Sequence, residues 1–271
     1  MKVKGSVTVN LGFSIKPTIG IGDQVQFSSL PENYFKATGQ KLIDVSKPWF
    51  MDFNPYVLRD VDPSKVIECW NFGPRKWEFK VPEGRELPIY TSNAEIIATA
   101  FGVPAFLNRP RLYRFENLGD FDFYRRKTIL LQTQGRSHGE MPEHVLDHIF
   151  EKYTARDHSL CHIGPDFDRV LKRYGIGRVY HYDTPTLWDL AGLIAHARML
   201  IGLDSGPSWI AAAYPDVIVK KVRTRPASVQ EFRNWIPLAK DNIHSHWDDR
   251  CHMIFNPTTE DVGFTSSYLK I

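Results

Sequence analysis

The feature that most constrains this chain is an apolar run that leads directly into a tight turn and then an alanine-rich segment. Residues 199–203 (MLIGL) are typical of a short buried strand, and residues 208–214 (SWIAAAY) of a helix. The turn between them consists of Asp204, Ser205, Gly206 and Pro207. A strand, a turn and a helix in this order present free backbone N–H groups that can bind an anion. The simpler interpretation is an ordinary strand–helix joint with Asp or Ser as the N-cap.

Size and composition predict a soluble globular protein. The chain has 271 residues, of which 42% are hydrophobic and 24% charged, enough for one large or two small domains. Its net charge of +3 is too small to indicate nucleic acid as a partner. The N-terminus lacks an apolar signal core, and no apolar run approaches the ~20 residues that span a bilayer. Peripheral membrane contact is left open.

Cysteine usage points to a reducing compartment. The three cysteines, Cys69, Cys161 and Cys251, are widely spaced and odd in number. Both facts favour reduced thiols over a disulfide framework. Together with the missing signal core, they predict a cytoplasmic protein.

Strands and helices are predicted to alternate in two series. The first has strands at 5–10, 41–45 and 65–69, a loop at 11–22, and helices at 23–37 and 93–101. The second has strands at 128–133, 158–163, 178–182, 199–203 and 217–222, separated by helices at 142–153, 166–174 and 186–197. Such alternation favours parallel sheets with right-handed crossovers. We expect an α/β fold with two Rossmann-like domains facing across a cleft.

The order of these pieces resembles the family 9 glycosyltransferases, the heptosyltransferase-like group with the GT-B fold. Three features carry the resemblance: residues 20–31 (GIGDQVQFSSLP), residues 183–213 with their Asp-Ser-Gly-Pro turn, and the loop at 130–142. It spans about residues 5 to 225. Two departures stand out: Trp209 occupies a position where the family usually has His, and the loop at 11–22 is longer than usual.

The resemblance implies a division of labour between the domains. Residues 1–120 would form the N-terminal acceptor-binding domain and residues 121–230 the C-terminal nucleotide-sugar-binding domain. Residues 231–271 would form a tail that packs back on the N-terminal domain. The implied reaction is inverting, metal-independent transfer of a sugar from a nucleotide-diphosphate sugar to a glycan, a lipid-linked or another hydroxyl acceptor.

The resemblance places the general base at Asp23, in a first-domain loop that also contains Gly20, Gly22 and Gln24. A base is needed because the acceptor hydroxyl must lose its proton as it attacks. The simpler role for Asp23 is to cap the helix that follows it.

The donor diphosphate would be bound at the Asp-Ser-Gly-Pro turn. The proposed contacts are the backbone N–H groups of Gly206, Ser208 and Trp209 and the hydroxyl of Ser205. Arg136 stands where the family carries a basic residue, and a forked guanidinium suits a diphosphate. Its simpler interpretation is a solvated loop charge.

Other residues would hold the sugar and the nucleoside. Asp204 would bond the donor sugar, Asp166 the ribose hydroxyls, and Thr184 and Thr186 would line the base pocket. Asp166 and the two threonines have a simpler role as helix caps.

No metal or other cofactor is implied if backbone dipoles and Arg136 carry the phosphate charge. The region 244–252 holds His, Asp and Cys but lacks a standard zinc spacing, so a polar tail is the default. Acceptor contacts are expected from first-domain aromatic residues, unless these belong to the core. The candidates are Trp49, Phe50, Phe53, Tyr56, Trp70 and Trp77.

Alternatives to the transferase remain open at this point. The same fold would suit a sugar-nucleotide epimerase, although that reaction needs several acid/base groups and Asp23 alone stands out. A catalytically inactive nucleotide-sugar-binding or scaffold protein is a third interpretation, which the change to Trp209 favours slightly. Fold alone does not separate these functions.

Overall fold

A computed structural model describes residues 10–69, 93–107, 109–113, 128–136, 139–154, 159–203, 205–223 and 251–255. Two parallel sheets and a small hairpin form its framework. The strands are β1 (Leu11–Ile15), β2 (Leu42–Asp44), β3 (Val57–Leu58), β4 (Lys65–Cys69), β5 (Thr128–Gln132), β6 (Gln134–Gly135), β7 (Gly139–Glu140), β8 (Ser159–His162), β9 (Val179–His181), β10 (Met199–Leu203), β11 (Ile218–Arg223) and β12 (Cys251–Phe255).

Helices follow most of the strands. They are α1 (Ile21–Val25), α2 (Leu30–Thr38), α3 (Asn93–Ala100), α4 (Glu143–Thr154), α5 (Phe167–Tyr174), α6 (Leu187–His196) and α7 (Gly206–Ala212), with short 3₁₀ turns at Gln26–Ser29 and Trp49–Met51. None of the helices that the structure describes has the length and hydrophobicity needed to cross a bilayer.

The first sheet has the order β3-β2-β1-β4, with β1 parallel to both of its neighbours. Here the structure corrects the sequence prediction. The predicted strand at 5–10 falls almost wholly outside the described residues, and β1 lies at Leu11–Ile15, where a loop was expected. Phe13 and Ile15 are buried, and pairing with β2 and β4 satisfies the backbone, which outweighs the weak strand preference of Gly12 and Ser14. The loop before α1 is therefore short, spanning 16–20.

The predicted helix at 23–37 is present but is divided. It begins two residues earlier, at Ile21, and passes through a 3₁₀ turn before α2. Pro31 lies in the first turn of α2, where the missing N–H costs no helical hydrogen bond. Gly39 ends α2 with a φ of 72°, the left-handed conformation that a glycine C-cap adopts readily.

The second sheet has the order β12-β11-β10-β5-β8-β9, and all its pairings are parallel. All five residues of β10 are buried, as expected for a central strand covered on both faces. The sequence prediction has no strand after residue 222 and places the tail on the N-terminal domain. Residues 251–255 instead extend the second sheet as β12, because β11 offers its unpaired edge to a further strand. The other residues of the tail lie outside the described ones.

The two halves share one hydrophobic core. A single buried cluster includes Phe13 and Leu30 of the first half together with Leu130 and Leu200 of the second. A second cluster, built around α4 on the other face of the second sheet, includes Ile149. Residues of α6 and α7 belong to the first cluster, and the contact of α1 with α7 joins the two halves.

Candidate functional site

The first turns of α1 and α7 meet where the two halves of the molecule join. Gly22 of α1 is buried and lies against the indole of Trp209 and the backbone nitrogen of Gly206. Asp23, the next residue, is half-buried in the same helical turn. The structure thus places the candidate base on a helix that touches the Asp-Ser-Gly-Pro turn of the other half.

The loop before α1 is held by Gln24. Its side-chain amide donates to the carbonyl of Ile19 at 2.8 Å, and its backbone N–H donates to the carbonyl of Gly20 at 3.0 Å. Gly20 lies beside Asp23, since a Cβ on Gly20 would stand 3.5 Å from the Asp23 carboxylate. Gln24 and Gly20 thus position the start of α1. Both residues were predicted to lie in the first-domain loop that contains Asp23.

The groups expected to bind the diphosphate are partly engaged with the protein. Ser208, whose backbone N–H was expected to contact the diphosphate, is fully buried, and its hydroxyl donates to the carbonyl of Leu203. The Trp209 N–H donates to the carbonyl of Ser205 at 3.3 Å, so it is used inside α7 rather than free for a ligand. Asp204 lies outside the described residues. Ser205, Gly206 and Pro207 are the half-buried members of the turn.

Gln132 organises this turn, although it is not among the site residues predicted from the sequence. Its side-chain oxygen accepts from the Leu203 N–H at 3.1 Å and from the Ser205 hydroxyl at 2.8 Å. Its amide group donates to the carbonyl of Gln134. A buried Gln at the end of an otherwise apolar strand was the available signal, because such a side chain needs buried partners.

Arg136 is exposed at the turn of the β6–β7 hairpin. It follows Gly135, where a Cβ would lie 3.3 Å from Leu203 and 3.6 Å from the Ser205 Cβ. The hairpin therefore lies on the turn at the end of β10, and Arg136 is one residue from that contact.

Asp166 belongs to a buried polar network. Its carboxylate accepts from the Thr133 hydroxyl at 2.6 Å and from Arg169 at 2.9 Å, and lies 3.1 Å from His162 Nε2. Burial raises the pKa of Asp166, but the hydrogen bonds from His162, Thr133 and Arg169 outweigh it and hold the pKa well below its usual range. Asp166 precedes α5 without capping it through its side chain. Asp166 thus occupies the N-cap position of α5, but its carboxylate is engaged in the network and makes no capping hydrogen bond.

Of the two threonines, Thr186 acts as a cap. Its hydroxyl accepts from the Asp189 N–H at 3.1 Å, while the Asp189 carboxylate accepts from the Thr186 N–H at 2.9 Å. This is a capping box at the start of α6. Thr184 is half-buried two residues earlier.

The candidate acceptor aromatics divide by exposure. Phe50 is fully buried in the core, whereas Phe53 is 61% exposed. Trp49 and Phe53 each make a T-shaped contact with Trp188 of the other half, at ring-centroid distances of 5.0 and 6.0 Å. Tyr56 packs on Phe35, and Trp70 and Trp77 lie outside the described residues. Phe53 is thus the exposed candidate among those described.

Cys69 and Cys161 are buried free thiols, and burial raises the pKa of each to about 12. The described residues contain no group of three or more His, Cys, Asp or Glu side chains arranged to hold a metal ion. Most of the region 244–252 lies outside them.

Two parallel α/β halves that meet at the carboxyl ends of β1 and β10 define the GT-B class of folds. Solved structures bear this out. A family 9 glycosyl transferase from Veillonella parvula matches with a TM-score of 0.62 and 11% identity, over 92% of this chain and 88% of the other. The E. coli heptosyltransferase WaaC, solved with ADP, matches with a TM-score of 0.55 and 13% identity, over 80% and 88% of the two chains.

A third match is the dodecameric iron-containing heptosyltransferase TibC, solved with ADP-D-beta-D-heptose. Its TM-score is 0.52 at 14% identity, over 78% of this chain, which spans only 58% of the TibC chain. No known family pattern matches the sequence, and no curated protein matches it. The structural matches show that the chain has the heptosyltransferase-like GT-B fold, and they confirm the resemblance at the level of the fold.

Proposed function

We propose that this chain is a glycosyltransferase that moves a sugar from a nucleotide-diphosphate sugar to a hydroxyl acceptor. The observation that carries the proposal is the contact of α1 with α7, which brings Asp23 of one half close to the Ser205–Gly206 turn of the other. The fold supports it, because WaaC binds ADP and TibC binds ADP-D-beta-D-heptose on the same architecture.

In the proposed reaction an oxygen of the acceptor attacks the anomeric carbon of the donor sugar. The bond from that carbon to the diphosphate oxygen breaks, and the diphosphate leaves with the electron pair. Asp23 takes the acceptor proton. Attack opposite the leaving group inverts the configuration at the anomeric carbon.

The leaving diphosphate gains charge as the bond breaks, and the protein must stabilise it. The backbone N–H of Gly206 and the exposed Arg136 are the groups that we assign to it, because the Ser205 hydroxyl already donates to Gln132. Arg136 can form a bidentate contact with phosphate oxygens. With this charge stabilised by protein groups, the proposed reaction needs no metal ion.

Binding is tested by thermal-shift measurements against nucleoside diphosphates and their sugars, with and without EDTA. A ligand at a hundred times its dissociation constant stabilises the folded state by ~2.7 kcal/mol. We expect one nucleotide to raise the melting temperature, with no effect of EDTA and a smaller shift in Arg136→Ala. The exposed Lys172, which lies on α5 and carries no assigned role, gives the matched control Lys172→Ala. No shift with any nucleotide would contradict the proposal.

Catalysis is tested with Asp23→Asn, which keeps the shape of the side chain but cannot accept the proton. We expect this variant to bind the nucleotide found in the screen as the parent does, while its transfer rate falls at least ~100-fold, the usual contribution of a general base. Equal transfer by both proteins would remove Asp23 from the mechanism. Binding without transfer by the parent protein would favour the inactive nucleotide-sugar-binding alternative.

A further inference from the structure

Gly22 and Gly206 meet at the junction of the two halves with unusually little space between them. A Cβ on Gly22 would lie 2.6 Å from Trp209 Cδ1, 3.3 Å from its Nε1 and 3.5 Å from the Gly206 nitrogen. A Cβ on Gly206 would lie 3.3 Å from Ile21 Cγ2 and 3.8 Å from the Gly22 nitrogen. Each helix therefore begins against the backbone of the other.

Backbone conformation does not explain these two glycines. Neither has a positive φ, in contrast to Gly39 and Gly102, so an L-residue could adopt their backbone angles. The constraint is space, and it is strictest at Gly22, where the neighbour is a bulky indole rather than the end of a flexible chain. Only the absence of a side chain lets α1 approach α7 this closely.

The contact bears directly on the candidate site. Asp23 follows Gly22, and Ser205 precedes Gly206, so the packing of Gly22 on Trp209 sets how far the carboxylate stands from the turn. We infer that Gly22 and Trp209 form an interdomain positioning pair that fixes the distance between the two halves of the site. The catalytic consequence rests on the proposed function, whereas the contact itself does not.

The inference is tested by a cycle of four proteins: the parent, Gly22→Ala, Trp209→Ala and the double variant. Amide hydrogen exchange is followed in α1 and α7. Because the new methyl group collides with the indole, we expect Gly22→Ala to speed exchange ~10-fold or more in both helices. In the Trp209→Ala background the methyl has room, so we expect the same change to alter exchange less than ~2-fold.

Gly20→Ala is the matched control for weakening α1 alone, because Gly20 is the N-cap of α1 and its Cβ would meet only the Asp23 carboxylate at an ordinary 3.5 Å. Exchange in α7 should stay near the parent value. A Gly22→Ala effect confined to α1, or equal in the two Trp209 backgrounds, would overturn the inference.

A distance measurement separates positioning from local stability. Spin labels are placed at the exposed residues Lys41 and Lys172, one in each half, after Cys251→Ser, while the buried Cys69 and Cys161 stay unlabelled. We expect Gly22→Ala to lengthen or broaden the interlabel distance distribution, and the double variant to restore it. An unchanged distribution would overturn the inference. Neither readout uses a nucleotide, so failure of the pair and failure of the proposed function are distinguishable.

Discussion

At the scale of single residues, the molecule is most constrained around His162. This ring is fully buried at the end of β8, and its Nε2 atom lies 2.8 Å from the Thr133 hydroxyl and 3.1 Å from Asp166. The Thr133 hydroxyl donates to Asp166, so it accepts from the Nε2–H of His162. The hydrogen bonds among His162, Thr133 and Asp166 therefore position all three side chains.

The network predicts how Asp166→Asn responds to pH. The pKa of Asp166 is lower in the folded state than its ordinary value of ~3.9, so ionised Asp166 stabilises the fold above that pH. We expect the variant to have a lower free energy of unfolding at pH 7. The deficit should stay constant down to about pH 5 and shrink as pH falls below ~4 towards the folded-state pKa. Urea unfolding at a series of pH values measures it.

The exposed Asp168 on the same helix provides the control Asp168→Asn. At pH 7 this control should lose much less free energy of unfolding than Asp166→Asn does. Substitutions of exposed residues away from such networks usually change stability little. An Asp166→Asn deficit that is absent at pH 7, or that does not change in acid, would contradict the assigned role of the network.

At the scale of secondary-structure elements, a local sequence signal sets the start of helix α6. Thr186 and Asp189 form a capping box, which satisfies backbone N–H groups that no helical carbonyl can reach. The spacing of a threonine and an acidic residue three positions later is visible in the sequence. The start of α6 was accordingly predicted within one residue.

Thr186→Ala should therefore lower the free energy of unfolding by ~1 kcal/mol, as loss of an N-cap does. Thr186→Ser keeps the hydroxyl and should lose less than half of that amount. Urea unfolding measures both variants. Thermal-shift titration with the nucleotide found in the screen separates the two roles of Thr186: a cap alone leaves the affinity unchanged, whereas a residue of the base pocket weakens it. If Thr186→Ala had the same free energy of unfolding as the parent protein, the capping box would not contribute to the stability of α6.

At the scale of the whole molecule, two apolar contacts between the halves stand out among the described residues. One is the α1–α7 junction. The other is the cluster of Trp49, Phe53 and Trp188, where two rings of the first half make T-shaped contacts with the indole of Trp188 on α6. Edge-to-face aromatic pairs add to the stability that burial alone provides. Both contacts join residues more than 130 positions apart in the chain.

Trp188→Ala removes the second contact. We expect a loss of ~2 kcal/mol in the free energy of unfolding, less than the ~3–5 kcal/mol of a fully buried Trp because this one is half-buried. Trp188→Phe retains a ring and should lose less. Urea unfolding followed by circular dichroism measures both variants. If Trp188→Ala were as stable as the parent, the aromatic cluster would not contribute to holding the halves together.

The sequence by itself determined the alternation of strands and helices in the second half. There the apolar runs are continuous, and glycine, proline and threonine mark their ends, so β10 and its neighbours were predicted within one or two residues. It also indicated the fold, through the glycine-rich start of α1 and the Asp-Ser-Gly-Pro turn. These signals are local, and they are readable because each depends on a few adjacent residues.

Only the tertiary structure decided the position of β1, the extension of the second sheet by β12 and the role of Gln132 in the turn. It also showed that Trp209 packs on Gly22. Each depends on groups distant in sequence: two flanking strands, an open sheet edge, or a helix of the other half. The free energy of such contacts comes from burial and hydrogen bonds that exist only after the chain has folded.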